Sequence, residues 1–258
     1  MEKQDLYKKR DSALREKFND IAEDYEKYRF TYPKQLFEDI FIYSGLGKDA
    51  LEIGIGTGKA TPFFLEKKYR IVAVEPVKNM LEIAKRKFSR ENIKFIHSTF
   101  ENLNIAEQFD LIYAASSFQW VNGSDRLEKV YARLRNGGVF ARFKTVNMID
   151  PGKHFNNAAL IEAYQEYLPD YLPTDVTKKH MRNEEYKRNG FSDLKRNAYF
   201  IDHEFAVEEY LNLINTYTEY LILDESLRKE FEDYIKNKLI REQIVITQKC
   251  TLNLARKK

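Results

Sequence analysis

The sequence predicts a doubly wound α/β fold built on a parallel sheet. Three observations point to it. An apolar run, Ala50 to Ile55, breaks into Gly54, Gly56 and Gly58 and then passes into a helical pattern from Lys59 to Leu65. Short apolar runs then alternate with segments of helical periodicity as far as Phe143, and strand–helix repeats of this kind place parallel strands side by side through right-handed crossovers. Finally, Glu75 closes the second apolar run at the distance from a glycine turn where a ribose-binding acid sits.

Each element has its own signal. Leu14, Phe18, Ile21 and Tyr25 recur at helical spacing and predict an amphipathic helix from about Asp11 to Tyr28, after a frayed start. Tyr25 to Pro33 is dense in aromatics around Arg29. Arg70–Glu75 reads as a second buried strand, and Pro76 suits the first turn of a helix marked by Val77, Met80, Leu81, Ala84 and Phe88. Ile93–His97 is the third strand and Phe109–Ala115 the fourth. Ser124 caps a helix carrying Leu127, Val130, Tyr131 and Leu134, which stops at Asn136-Gly137-Gly138 before a fifth strand, Val139–Phe143.

The rhythm breaks over residues 150–190, where Pro151, Pro169 and Pro173 flank a Tyr-rich helix, Asn157 to Tyr167. We read it as a helical insertion covering the crevice. Phe191–Phe205 is a strand, Ala206 to Tyr220 a helix, and Leu227, Phe231, Tyr234, Ile235 and Leu239 mark another. Cys250, Leu252 and Leu254 alternate with Thr251, Asn253 and Ala255 as a half-buried last strand. One domain is expected over 1–258, with an N-terminal flap at 11–33, the lid insertion at 150–190 and C-terminal helices at 206–240.

Spacing at the glycine turn separates its possible ligands. The dinucleotide fingerprint fails because Lys59 stands where a small residue should pack helix on sheet. The P-loop fails because Ile53 holds its first glycine position and Ala60 replaces the magnesium-binding hydroxyl. What remains is Glu52-x-Gly54-x-Gly56-x-Gly58, which resembles motif I of class I S-adenosylmethionine-dependent methyltransferases.

Further segments carry the same resemblance. Tyr25-x-x-x-Arg29-x-x-Tyr32-Pro33 is similar to the cofactor flap of small-molecule methyltransferases. Ala115-x-Ser117-x-Gln119-Trp120-Val121 resembles the trans-aconitate methyltransferase group, Leu134-x-x-Gly137-Gly138 the turn into the fifth strand, and Thr216-Tyr217-Thr218 a segment facing the active site. The resemblance implies a Rossmann-like seven-stranded, mostly parallel sheet with an antiparallel last strand and helices on both faces. It implies S-adenosylmethionine as cofactor and S-adenosylhomocysteine as product. Its cofactor residues here are Arg29 at the methionine carboxylate, Glu75 at the ribose, Met80, Thr99 and Phe100 at the adenine, together with Glu52, Gly54, Gly56, Gly58, Pro76 and Ala115. Thr99 stands where the family commonly has Asp, which leaves adenine a single hydrogen bond. Tyr32, Gln119, Trp120 and Tyr217 are the candidate substrate contacts, and no general base is assigned.

Composition bounds the function. The chain has 258 residues, 43% hydrophobic and 14% aromatic, with a net charge of +3. That is a packed globular protein whose Lys and Arg are spread rather than clustered, so no nucleic-acid partner is expected. No apolar run reaches membrane-span length and the N-terminus is charged, so no membrane partner is expected either. The single Cys250 suggests a cytoplasmic protein. His97, His154, His180 and His203 lack ligand spacing, and no metal is expected. The acceptor is read as a small molecule, with a carboxylate or other oxygen nucleophile favoured. The alternatives are a cofactor-binding protein without catalysis and an RNA methyltransferase.

Overall fold

Seven strands form one sheet: β1 (Asp49–Ile53), β2 (Arg70–Glu75), β3 (Ile93–His97), β4 (Phe109–Ala115), β5 (Leu134–Ile149), β6 (Phe191–Phe205) and β7 (Ile244–Lys257). The computed structural model describes residues 17–169, 183–239 and 243–258. The strand order is β3-β2-β1-β4-β5-β7-β6. The pairs β1–β2, β2–β3, β1–β4 and β4–β5 are parallel. β7 runs antiparallel, as its side-chain bonds to β6 show: Ser192 Oγ donates to Arg256 O, and Thr247 Oγ1 to Asp202 Oδ1.

Alternate strand residues feed two cores. Ile71, Ala73, Leu111 and Tyr113 pack on one face with Leu36, Phe37 and Phe64. Val72, Val74, Ile112 and Ala114 pack on the other with Phe100, Phe118 and Phe140. Burial on both faces is why these strands read as continuous apolar runs rather than as a polar alternation.

The helices are α1 (Ala22–Tyr28), α2 (Lys34–Ser44), α3 (Thr61–Glu66), α4 (Lys78–Lys87), α5 (Arg126–Arg133), α6 (Phe155–Tyr167), α7 (Asn183–Arg188), α8 (Val207–Ile214), α9 (Thr218–Leu221) and α10 (Glu225–Lys238). Several differ from expectation. Helix α2, absent from the sequence reading, buries Leu36, Phe37, Ile40 and Tyr43, and ends at Gly45 with φ 77°. The cap of α5 is Asp125, not Ser124. The single helix expected over 206–220 is two, because Asn215 Nδ2 bonds back to Leu211 O and Thr216 Oγ1 to Leu213 O, ending α8. Strand β5 begins at Leu134 and runs to Ile149, well beyond the expected five residues.

The described residues group into two compact units. One comprises Phe30–Thr145, Lys179–Tyr199 and Cys250–Lys258, and the other Met1–Arg29, Val146–Lys178 and Phe200–Lys249. The segment 150–190 is therefore divided: α6 belongs to the second unit and α7 to the first, where Tyr186 stacks on Phe140. The expected frayed start with residues 11–16 of the first helix, the insertion's residues 170–182 and position 240 lie outside the described residues. The second unit has its own core, with Leu160, Tyr164, Tyr210, Phe231 and Ile246 buried together. Among the described residues no helix is long and apolar enough to cross a membrane.

Candidate functional site

Gly54 and Gly56 make the turn possible. Their φ angles are 70° and 57°, a region L side chains rarely adopt. Gly54 N and Ile55 N both donate to Val74 O, at 2.8 and 3.2 Å, which holds the end of β1 against β2. A Cβ on Gly54 would lie 2.6 Å from Ser117 Cβ, whereas one on Gly56 would meet nothing within 4 Å. Gly54 is thus a packing glycine, and Gly56 opens on a space that a ligand can enter. Gly58 also has positive φ and faces Phe88.

The two carboxyls beside the turn have different duties. Glu75, buried at 5% exposure, ends β2. Its Oε2 accepts from Gly56 N at 2.8 Å and its Oε1 from Val77 N at 2.9 Å. It therefore fixes the turn and the start of α4. Glu52 lies deeper, at 1% exposure. Its Oε2 accepts from Thr61 Oγ1 at 2.9 Å and from Tyr113 Oη at 2.8 Å. Burial pushes the Glu52 carboxyl up to about 8, against the opposing pull of those two hydrogen bonds, with the Glu75 charge raising it further. Lys87 Nζ closes the far side of the turn on Thr57 O at 2.9 Å.

Tyr113, Thr61 and Lys87 escape the sequence reading. For Tyr113 a signal existed, since a phenol inside the apolar run Leu111–Ala115 needs a buried partner.

At the carboxyl end of β4, Ser116 is held at φ 54°. Its N donates to Phe143 O, its carbonyl accepts from Gln119 Nε2 at 2.7 Å, and its Oγ accepts from Tyr32 Oη at 3.1 Å and Thr145 N at 3.3 Å. Ser117 Oγ donates to Ile53 O. Ala115, Ser117 and Trp120 are half-buried, and Gln119 is exposed. The chain order along the sheet reverses between β1 and β4, and ligands of doubly wound sheets bind at that reversal. The glycine turn and the Ser116–Trp120 segment both stand there.

The other predicted residues are placed less directly. Met80 is buried, and Phe100 sits in the core beside Val74 and Leu103. Thr99 Oγ1 accepts from Asn102 N at 3.3 Å, within its own turn. Pro76 O pairs with His97 Nε2 at 3.0 Å. Arg29 and Tyr217 belong to the second unit. There the guanidinium lies 3.9 Å from the Tyr217 ring centroid and Nη2 donates to Thr216 O at 2.8 Å, while Asn147 Nδ2 donates to Tyr217 Oη. Among the described residues no group of three or more His, Cys, Asp or Glu is placed to hold a metal ion.

Comparison with known proteins agrees with this geometry. Residues 50–138, from β1 through the turn into β5, match a family described as a methyltransferase domain. This segment is similar to methyltransferase domains. Over 141 residues the chain is 32% identical to a malonyl-acyl-carrier-protein O-methyltransferase of Priestia megaterium, covering 50% of this chain and 51% of that protein. Over 128 residues it is 31% identical to a probable S-adenosylmethionine-dependent methyltransferase of Saccharomyces cerevisiae, covering 45% and 43%. The chain thus spans about half the length of the curated relatives it matches. A solved structure of a putative type II methyltransferase from Anaeromyxobacter dehalogenans shares the fold, with a TM-score of 0.61 at 17% identity, over 89% of this chain and 98% of that one. The matched segment holds every glycine of the turn, both buried carboxyls and Ser116.

Proposed function

We propose that this protein transfers a methyl group from S-adenosylmethionine to a small-molecule acceptor through an oxygen nucleophile, a carboxylate. The observation that carries the cofactor is the Gly56 opening beside buried Glu75. The turn leaves room where a Cβ would stand, and beside it stands a carboxylate ordered by two amides, at the end of β2 where a ribose diol would lie. When bound, S-adenosylmethionine supplies an electrophilic methyl on a sulfonium. Around it the chain's residues align and exclude water, and alignment alone contributes up to roughly 7–11 kcal/mol.

Support for an oxygen acceptor comes from the relative named as an O-methyltransferase acting on a malonyl group and from the resemblance of Ser117-x-Gln119-Trp120. A carboxylate oxygen would accept the methyl with cleavage of the carbon–sulfur bond, giving an ester and S-adenosylhomocysteine with no proton to remove. Such an acceptor needs no general base, in keeping with the sequence, which assigns none. A cytoplasmic location belongs to the same proposal, carried by the single buried Cys250.

Two measurements test this. Calorimetry should show S-adenosylmethionine and S-adenosylhomocysteine binding the protein; NADH binding more tightly would overturn the cofactor class. An S-adenosylhomocysteine-release assay over small acids, phenols and amines should give turnover with acids. Binding without turnover would favour a non-catalytic protein, and methylation of transfer or ribosomal RNA alone would overturn the small-molecule reading. Arg29 is part of the proposal as well. Bound S-adenosylhomocysteine should slow hydrogen exchange over residues 20–33, and equal protection would leave Arg29 a structural residue of the second unit.

A further inference from the structure

Ser116 is the one serine in the described residues with a left-handed backbone, φ 54°. Glycine takes that conformation freely, whereas a serine there is strained, so the strain accompanies a hydroxyl. Its surroundings hold it from several sides. The backbone N and O are bonded to Phe143 O and Gln119 Nε2. Its Oγ accepts from Tyr32 Oη and from Thr145 N. A serine oxygen has two lone pairs and one proton. Both lone pairs are taken, so toward any ligand this hydroxyl is a donor only, and none of the described residues accepts its proton.

The place of that donor matters. The next residue, Ser117, packs against Gly54 and bonds Ile53 O, which puts Ser116 one residue from the glycine turn at the reversal of strand order. Ser116 is half-buried and so within reach of a ligand. Tyr32 is 8% exposed and packed edge-on against Phe143 at 5.0 Å. Its phenol cannot swing away and fixes the Ser116 rotamer.

We infer that Ser116 donates a hydrogen bond to the acceptor and selects molecules that present a lone pair there, carboxylates above all, with Tyr32 as its positioning residue. A protonated amine carries only donors and would set donor against donor. The inference deepens the methyltransferase reading and rests on it.

The test uses the full chain loaded with S-adenosylhomocysteine, with malonate and ethylamine, whose ammonium carries only donors, as probes in calorimetry. Malonate should bind and ethylamine should not. Ser116→Gly, which keeps the backbone angle without strain, should weaken malonate by about tenfold, the worth of one charge-assisted hydrogen bond. The same variant should leave S-adenosylhomocysteine affinity unchanged. Tyr32→Phe should weaken malonate less than Ser116→Gly does. Malonate bound equally by Ser116→Gly and the unmodified chain would overturn the inference, as would ethylamine binding more tightly than malonate. S-adenosylhomocysteine binding with no malonate binding would overturn it while leaving the cofactor reading standing. Failure to bind S-adenosylhomocysteine would sink the cofactor reading and this inference with it.

Discussion

Asp49 and Glu52 stand on the same strand, β1, and their fates differ. At the amino end of the sheet, Asp49 accepts from Arg70 Nε and Arg135 Nη2, both at 2.7 Å, while Arg135 also bonds Asp110 and Arg70 bonds Glu107. These guanidinium contacts hold the Asp49 carboxyl below its ordinary value, Arg70 contributing most. Arg70 and then Lys94 do the same for Glu107. At the carboxyl end, Glu52 is buried and bonded by the hydroxyls of Thr61 and Tyr113, and Glu75 is buried and bonded by the amides of Gly56 and Val77.

Half-exposed charges with matched partners close one end of the sheet. Buried acids bonded by hydroxyls and amides, beside positive-φ glycines and a strained serine, mark the end where a ligand is expected. The comparison teaches that one strand supports stability at one end and gives it up at the other, as functional sites commonly do.

The largest test of that contrast is pH. Glu52 rises from 4.5 to about 8 on folding. The proton it holds stabilises the fold fully below the unfolded value, and that stability is lost as pH climbs through about 8. The whole effect is on the order of 5 kcal/mol. Glu52→Gln should therefore flatten the fall of Tm between about pH 5 and pH 8; an unchanged slope would mean that Glu52 does not titrate there. The amino end has the opposite sign. Asp49 and Glu107 have depressed values, so their stability is present above the unfolded values and lost as pH falls through the folded ones.

Next in size is Glu75→Ala, which strands Gly56 N and Val77 N and removes the proposed ribose acceptor. S-adenosylmethionine affinity should fall about a hundredfold, roughly 3 kcal/mol, and calorimetry reads it directly. Unchanged affinity would reduce Glu75 to a clasp on the turn.

Gly56→Ala comes third. With open space and φ 57°, it should cost only about 1 kcal/mol of stability yet weaken the cofactor more than the fold, because its Cβ enters the ligand's space. Equal losses in denaturant midpoint and binding would argue against a ligand there. Smallest is Arg135→Ala at the amino end. Its side chain is 44% exposed, so removing both ion pairs should cost less than about 1 kcal/mol at neutral pH. Activity should not change, and a large loss of turnover would break the division between the two ends.

Much of the first unit was legible because its signals are local. Arg70–Glu75, Ile93–His97, Phe109–Ala115 and Phe191–Phe205 have the bounds their apolar patterns predict. Helix α2 was as legible in principle, with Leu36, Phe37, Ile40 and Tyr43 on one face, but the aromatic cluster before Pro33 drew the reading to a flap. The break after Ile214 was not legible, because it depends on Asn215 and Thr216 choosing helix carbonyls over solvent.

By itself the sequence determined the parallel strands, the glycine turn and the placing of an acid at the end of β2. Each is written in the conformational preferences and periodicity of a few neighbouring residues. Only the tertiary structure decided what the polar groups do. Glu52 meets Tyr113 from 61 positions away, Tyr32 meets Ser116 from 84, and Arg29 meets Thr216 from 187. Those partners are set by strand order and packing between distant segments. A side chain's charge, donor direction and strain follow from the partner it receives, and no local pattern encodes that partner.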